Sequence, residues 1–346
     1  MVAALANEIA MRKDEFKDEV VETIYFGGGT PSILEIADLR WLIEEVFQHY
    51  NVTENPEITV EANPDDLSEE RIIALSQNKV NRLSIGIQSF FEDDLKLMNR
   101  AHNVAEAKQC LEIATKYFDN ITIDLIYGMP EMSHEKWLQN IQTALSYNIP
   151  HISSYALTVE PKTALHQFIQ KGVIAPLDDG LAQEHFHLLV DTLEKHGFIH
   201  YELSNFGKEG YFSKNNSSYW LGKKYLGIGP SAHSYDGEKR GWNIANNSLY
   251  LKSLANNELP IEIETLTKTD RYNEYIMTGL RTIWGVSLDR IENEFGVNYR
   301  NYLQQQAAKY LEDHLLFVDD NIIRTTKRGK FLSDGIASDL FLLNLE

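Results

Sequence analysis

The chain carries one cysteine, Cys110, among 346 residues. A lone thiol excludes an internal disulfide and any metal site built of cysteines alone. Cys110 sits in the helical pattern from Ala105 to Ala114, so a packed core thiol is its expected state. Basic residues are scarce: 32 Lys and Arg stand against 51 Asp and Glu, a net charge of −19. That balance argues against nucleic-acid partners and against stable membrane docking or insertion. Long apolar runs are also missing, and none approaches the roughly 18 residues that a spanning helix needs. Residues Met1 to Val20 mix charge with an amphipathic pattern and do not read as a signal peptide, so a cytoplasmic location is expected.

What is present is an alternation. Strand-like runs are expected at Val21–Phe26, Glu57–Ala62, Arg82–Ile87, Ile121–Tyr127, His151–Leu157 and Phe198–Leu203. Helical patterns lie between them at Leu34–His49, Leu67–Gln77, Val104–Tyr117, His134–Ser146 and Gly180–His196. Repeated βα units predict a parallel sheet with helices outside. Right-handed crossovers curl such a series into a barrel or part of one. A helix over Met1–Lys17 precedes the first strand, where a βα series would open with a strand; the expectation is a unit whose strand lies upstream. Gly207–Pro260 is rich in Gly, Asn, Ser and Tyr and reads as irregular. Helical periodicity returns at Asp270–Ile283, Leu288–Phe295 and Tyr299–His314. A hairpin follows at Leu316–Val318 and Ile322–Arg324, then a last helix over Lys327–Phe341. Three helices and a wing suggest a winged-helix-like domain. Its candidate recognition helix carries only Arg300 and Lys309 as cations, which is poor for DNA.

Chemistry concentrates at strand ends, where α/β folds bind ligands. The first strand runs into Gly27-Gly28-Gly29-Thr30-Pro31, and consecutive glycines let the backbone approach a ligand and aim N–H groups at it. The second ends in Glu61-Ala62-Asn63-Pro64, the third in Gly86-Ile87-Gln88-Ser89, and the fourth contains Asp124 in an apolar run. The fifth ends in Ala156-Leu157-Thr158-Val159-Glu160-Pro161. Buried carboxylates need partners. Glu61 and Asp124 could find them in Arg82 and Arg100, or in a cationic or hydroxylated ligand. Each alone is more simply a carboxylate capping a neighbouring loop; five such strand ends in succession favour a site. An amino-acid-and-ribose ligand suits this set better than a bare phosphate, which two carboxylates would repel. The histidines have bland readings. His185 and His187 do not share a helix face, His196 suits a helix C-terminus, and His151 and His200 are satisfied core or rim residues. Lys327 and Arg328 are expected to face solvent.

These motifs, together with Asn99-Arg100, Asp124-Leu125-Ile126-Tyr127-Gly128-Met129-Pro130 and Gly227-Ile228-Gly229-Pro230-Ser231-Ala232-His233-Ser234, occur in a specific order. In that order they resemble the radical S-adenosylmethionine (SAM) family of oxygen-independent coproporphyrinogen III oxidases and their HemW relatives. The resemblance spans about Val21 to Phe341. Glu61–Pro64 and Leu157–Pro161 favour the HemW branch, whose members are regarded as haem chaperones. It implies an α/β fold: a partial (β/α)6 TIM-like barrel over residues 1–206, a connecting segment over 207–265 and a helical, winged-helix-like domain over 266–346. It implies SAM, a 4Fe–4S cluster, and haem or coproporphyrinogen as ligands, with haem-accepting apoproteins as partners. Gly28 and Glu61 match positions holding the cluster-bound SAM. Gly29, Thr30, Gln88, Arg100, Asp124 and Ala156 match positions lining a second SAM in the oxidase. His233 matches a position touching the first SAM, through its backbone.

Two departures stand out. The family's Cys-x3-Cys-x2-Cys motif, which holds three irons by the thiolates that suit such clusters, has no counterpart here. Missing cysteines and a missing strand together lead to the expectation of a segment preceding Met1. Second, Lys214-Asn215-Asn216-Ser217-Ser218-Tyr219-Trp220 has Asn215 where HemW proteins carry histidine, and an amide is a poor iron ligand. Tyr219 and Trp220 suit packing and ligand stacking equally. Three functions are therefore in play: a haem chaperone, an oxidase that decarboxylates porphyrinogen propionates, and a barrel enzyme using Gly27–Gly29 for a phosphate. Whether the chain is an enzyme stays open.

Overall fold

The computed structural model describes residues 1–161 and 163–343. They form two compact units, one of residues 22–40 and 54–213, the other of residues 1–21, 41–53 and 214 onward.

The first unit is built on β1 (Val21–Phe26), β2 (Val52–Ala62), β3 (Arg82–Gln88), β4 (Ile121–Tyr127), β5 (His151–Ala156), β6 (Ile199–Glu202) and β7 (Asn205–Gly207). These make a seven-stranded sheet in the order β1-β2-β3-β4-β5-β7-β6. β2 to β5 pair in parallel. The helices between them start where the sequence places caps. Ser68, Asn103, Ser133 and Asp178 each accept a backbone N–H of the first turn of Glu69–Ser76, Val104–Tyr117, His134–Ser146 and Asp179–Lys195. Such side-chain oxygens satisfy N–H groups that have no intrahelical partner.

The expected series is therefore observed, with differences at its edges. β2 begins at Val52, not Glu57. The chain also doubles back after β6, so that β7 lies antiparallel between β5 and β6. Asn205 on β7 accepts a hydrogen bond from Ser153 Oγ at 2.5 Å, which ties the inserted strand to β5. Short helices at Glu92–Leu97 and Ala164–Gln170 complete the connections.

Alternation within the strands decides what the sheet can do. One face carries Ile58, Val60, Leu83, Ile85, Ile87, Ile123, Leu125 and Ile152, all almost fully buried. The register places Glu61 beside Ser84, Ser84 beside Thr122 and Thr122 beside His151, so the opposite face is a continuous polar row. Asp124 beside Ser153, and Ser153 beside Asn205, form a second row on that face. A parallel sheet is ordinarily apolar on both faces. One polar face means that this sheet packs helices on one side and presents chemistry on the other.

In the second unit the N-terminal helix spans Val2–Met11. It ends short of Lys17 because Arg12, at 1% exposure, turns inward to bond Glu8 and the Gly227 carbonyl. The stretch expected to be irregular contains helices Lys214–Trp220 and Asn247–Ala255. It also contributes to an antiparallel sheet of β8 (His233–Tyr235), β9 (Lys239–Asn243) and β10 (Ile261–Thr265).

Farther on, helices Lys268–Leu280, Leu288–Phe295 and Val297–Glu312 enclose a core of Tyr272, Ile276, Leu280, Ile291, Phe295 and Leu303. A small sheet of β11 (Val286–Ser287), β12 (Leu316–Asp319) and β13 (Ile322–Thr325) supplies the wing. The expected final helix is broken into Lys327–Lys330 and Ser333–Asp339. Gly329 passes so close to the Leu315 carbonyl that a Cβ there would sit 2.0 Å from its oxygen, which anchors the first piece to the hairpin. Lys327 and Arg328 are exposed.

Candidate functional site

The carboxyl ends of β1 to β4 bring together most of the residues singled out above. Glu61 is held through both oxygens. Tyr25 donates to Oε1 at 2.5 Å, and the Gly28 amide donates to Oε2 at 3.1 Å. Gly27 packs against this pair: a Cβ there would lie 2.5 Å from the Tyr25 ring and 2.9 Å from Glu61 Oε1. Gly28 and Gly29 both adopt positive φ, 74° and 68°, which is inexpensive only without a Cβ. The glycine turn thus does two things. The Gly28 amide orients a carboxylate, and exposed Gly29 leads into half-buried Thr30 and the short turn Pro31–Ile33.

Asp124 accepts from the Tyr155 hydroxyl and lies beside Ser153, whose own proton goes to Asn205. Burial is the main cause that raises its pKa to about 6, with the nearby Glu61 charge adding to it. Burial also pushes the Tyr25 and Tyr155 hydroxyls well above the usual phenol range, so both stay protonated donors. Arg82, one expected partner for these carboxylates, bonds Asn120 and lies near Glu57 instead, because its strand position is too far from the sheet's carboxyl end. Hydroxyls and a backbone amide serve Glu61 and Asp124 in its place.

A third cluster gathers over Gly86. A Cβ on Gly86 would meet Gln88 Nε2 at 2.9 Å, Arg100 Nη2 at 3.2 Å and Asn63 Oδ1 at 3.7 Å. Arg100 Nη2 donates to Asn63 Oδ1 at 2.7 Å. Gln88 adopts φ 67° where the β3–β4 register shifts. It is 8% exposed, and its Oε1 has no partner among the described residues. A buried acceptor with nothing to accept from is costly unless a ligand supplies the donor. Ala156 ends β5 beside Tyr127, on the strand face alternate to Tyr155. His233 lies in the other unit. It is exposed, opens β8, and its carbonyl lies where a Cβ on Gly227 would come within 2.1 Å.

Sequence reasoning passed over Tyr25, Ser153 and Tyr155 as site residues. The signal was available in part: Glu57/Thr59/Glu61, Arg82/Ser84/Gly86/Gln88, Thr122/Asp124 and His151/Ser153 alternate with apolar residues at period two, and Tyr155 continues the last series beyond Ser154. The histidine readings hold. His151 bonds Thr122 at 2.6 Å and Tyr201 at 2.7 Å, His200 bonds the Leu203 carbonyl, and His196 bonds the Thr192 carbonyl at a helix end.

The residues fit SAM but not an iron–sulfur cluster. Two carboxylates oppose the positive charges of a sulfonium and an ammonium, and the orphan Gln88 acceptor suits a hydroxyl or amino donor. The one thiol, Cys110, is buried in helix Val104–Tyr117, and burial pushes its pKa up to about 12. Among the described residues, no three His, Cys, Asp or Glu side chains group to hold a metal. No helix of the described residues is long and apolar enough to cross a membrane.

Comparison with known proteins gives the context. Residues 3–144 match the radical SAM superfamily, and residues 266–332 match the HemN C-terminal domain. The heme chaperone HemW of Lactococcus lactis is 34% identical over 94% of this chain and 86% of its own length. That of Bacillus subtilis is 33% identical over 91% and 84%. The solved coproporphyrinogen III oxidase HemN of Escherichia coli superposes with a TM-score of 0.84 over 98% of this chain and 82% of its own, at 21% identity. That likeness shows the fold: a partial radical-SAM barrel followed by a helical C-terminal region.

Proposed function

This chain belongs to the HemW family of radical SAM proteins, and from that premise we propose that it binds SAM at the ends of β1 to β5 and carries haem to an apoprotein. The observation that supports SAM most is the Glu61 carboxylate, fixed by Tyr25 and Gly28 beside a second carboxylate, Asp124. When bound, SAM brings a sulfonium cation, an ammonium, a carboxylate and an adenosine. Glu61 and Asp124 oppose its positive charges. Arg100 answers the carboxylate, and Gln88 accepts from a hydroxyl or amine. Gly29, Thr30 and Ala156 leave room for the backbone to approach it.

The haem-chaperone reading rests on the HemW relatives. Oxidative decarboxylation of coproporphyrinogen is the weaker reading, because the curated relatives that match most of this chain at 33–34% identity are heme chaperones, whereas the oxidase HemN is 21% identical. A phosphate-binding barrel is disfavoured by the paired carboxylates.

Calorimetry with SAM, S-adenosylhomocysteine and ATP tests the site. SAM should bind more tightly than the uncharged thioether, and ATP least. Equal binding of SAM and the thioether would remove the carboxylates' role, and preference for ATP would restore the phosphate reading. Absorbance titration with haem, on the native chain and on Asn215→His, tests the cargo. Tighter binding by the histidine variant is expected, and a native chain that binds no haem would overturn the chaperone reading.

A further inference from the structure

The glycine turn and Arg100 are joined by a chain of side chains that no motif predicts. Ser32, 2% exposed and just beyond the glycines, donates to Asp66 Oδ2 at 2.8 Å. Asn63 Nδ2 donates to the same oxygen at 3.2 Å. That bond fixes which way the Asn63 amide faces, because only its NH2 can donate to a carboxylate. Its Oδ1 is thereby turned to Arg100, whose Nη2 donates to it at 2.7 Å and also leans on the Gly86 carbonyl at 3.5 Å. Beside that guanidinium lies the Gln88 amide, whose Oε1 has no partner among the described residues.

We propose that Asp66 is a positioning residue: through Asn63 it holds the Arg100 guanidinium over Gly86, aimed at the carboxylate-bearing end of the ligand. The inference rests on the SAM reading above for the ligand's identity, but not for the relay itself. An amide at position 66 could donate as well as accept. Asn63 would then be free to flip its NH2 toward Arg100, where two donors repel and the guanidinium is released.

The test uses the full chain with Asp66→Asn and Arg100→Gln, alone and combined. Asp66→Asn should lower SAM affinity about tenfold, the usual scale for a hydrogen bond to a charged group. In the Arg100→Gln background it should lower it no further, because the relay then has nothing to aim. The thermal midpoint should be unchanged. A purely structural role would lower that midpoint and act equally in both backgrounds; either result overturns the proposal. A readout without ligand separates the two readings. The Arg100 side-chain Nε–H resonance of the SAM-free native protein should be sharp, and it should broaden in Asp66→Asn. If the native chain binds no SAM yet the resonance responds this way, the SAM reading fails and the relay stands. If SAM binds and the resonance is indifferent to Asp66, the relay fails alone.

Discussion

The Tyr25 hydroxyl lies 2.5 Å from Glu61 Oε1, so the first strand as well as its glycine turn orients the carboxylate at the centre of the site. Burial and the Glu61 charge keep that hydroxyl protonated at any physiological pH. Tyr25→Phe keeps the ring that packs on Gly27 and removes only the donor. It should weaken SAM binding about fivefold, close to 1 kcal/mol, with an unchanged melting temperature. Glu61→Gln, which removes the charge itself, should cost more. Calorimetry at one pH ranks the two. An unchanged affinity in Tyr25→Phe would mean that Tyr25 acts through its ring and not through the bond.

Asp124 makes the site sensitive to pH. Its pKa is raised from the ordinary 3.8 to about 6, chiefly by burial. Below pH 6 the folded protein increasingly holds a neutral Asp124, so affinity for cationic SAM should fall as pH drops through 6, while affinity for S-adenosylhomocysteine changes less. Stability runs the other way. Between pH 4 and 6 the folded state binds the proton more tightly than the unfolded state, so Asp124 detracts from stability progressively as pH rises to 6 and fully above it. Asp124→Asn should therefore stabilise the protein at pH 8 by about 3 kcal/mol and lose that advantage near pH 4. Thermal melts across that range check it, and a stability gain that persists at pH 4 would point to a cause other than ionisation.

Much of this architecture was legible from period and punctuation. The strand Ile121–Tyr127 and the helices Val104–Tyr117, His134–Ser146 and Leu288–Phe295 occur at their expected bounds, because strong alternation or a capped amphipathic pattern specifies each locally. The candidate site was legible as residue types at strand ends, but not as bonds. Tyr25 with Glu61, or Asp66 with Asn63 and Ser32, depend on which strands become neighbours, and sequence spacing does not reveal that. Between Gly207 and Pro260 the elements are short, and distant partners hold them: Asn243 Nδ2, for example, donates to Glu8 Oε1 at 2.7 Å across 235 positions. No local window contains such a bond.

Cys110 provides a simple check on burial. Its thiol lies inside helix Val104–Tyr117, and its pKa is pushed up to about 12 by desolvation alone. The thiolate is the reactive form. A disulfide reagent at pH 8 should therefore leave the native protein unlabelled, and label one thiol once denaturant has unfolded it. Fast labelling of the native protein would show that this helix does not pack as described.

The second unit offers the sharpest stability test, because its N-terminal helix is anchored by charges that water cannot reach. Glu8 and Arg12 are 0% and 1% exposed. Glu8 accepts from Arg12 at 3.2 Å, from Asn243 at 2.7 Å, from the Gly229 amide at 2.8 Å and from Tyr250 at 2.5 Å. Arg12 in turn donates to the Gly227 carbonyl at 2.8 Å and to Ser234 at 3.1 Å. Removing Arg12 strands the buried Glu8 charge, whereas Arg12 without Glu8 keeps exposed Glu15, to which its Nε and Nη2 each donate at 2.8 Å. Arg12→Met should cost about 3–5 kcal/mol, the range for breaking a buried pair from one side. The double variant Glu8→Leu with Arg12→Met removes both charges, yet it leaves the Gly229 amide, Tyr250 and Asn243 without their acceptor. It should therefore recover only part of the loss, whereas a pair acting by charge alone would be restored in full. Urea unfolding of the native chain, each single variant and the double variant separates these outcomes. The coupling between the two sites is the quantity to read, since it cancels effects that either substitution has alone. Coupling near zero would mean that the helix is held by its neighbours' packing and that the ion pair is incidental.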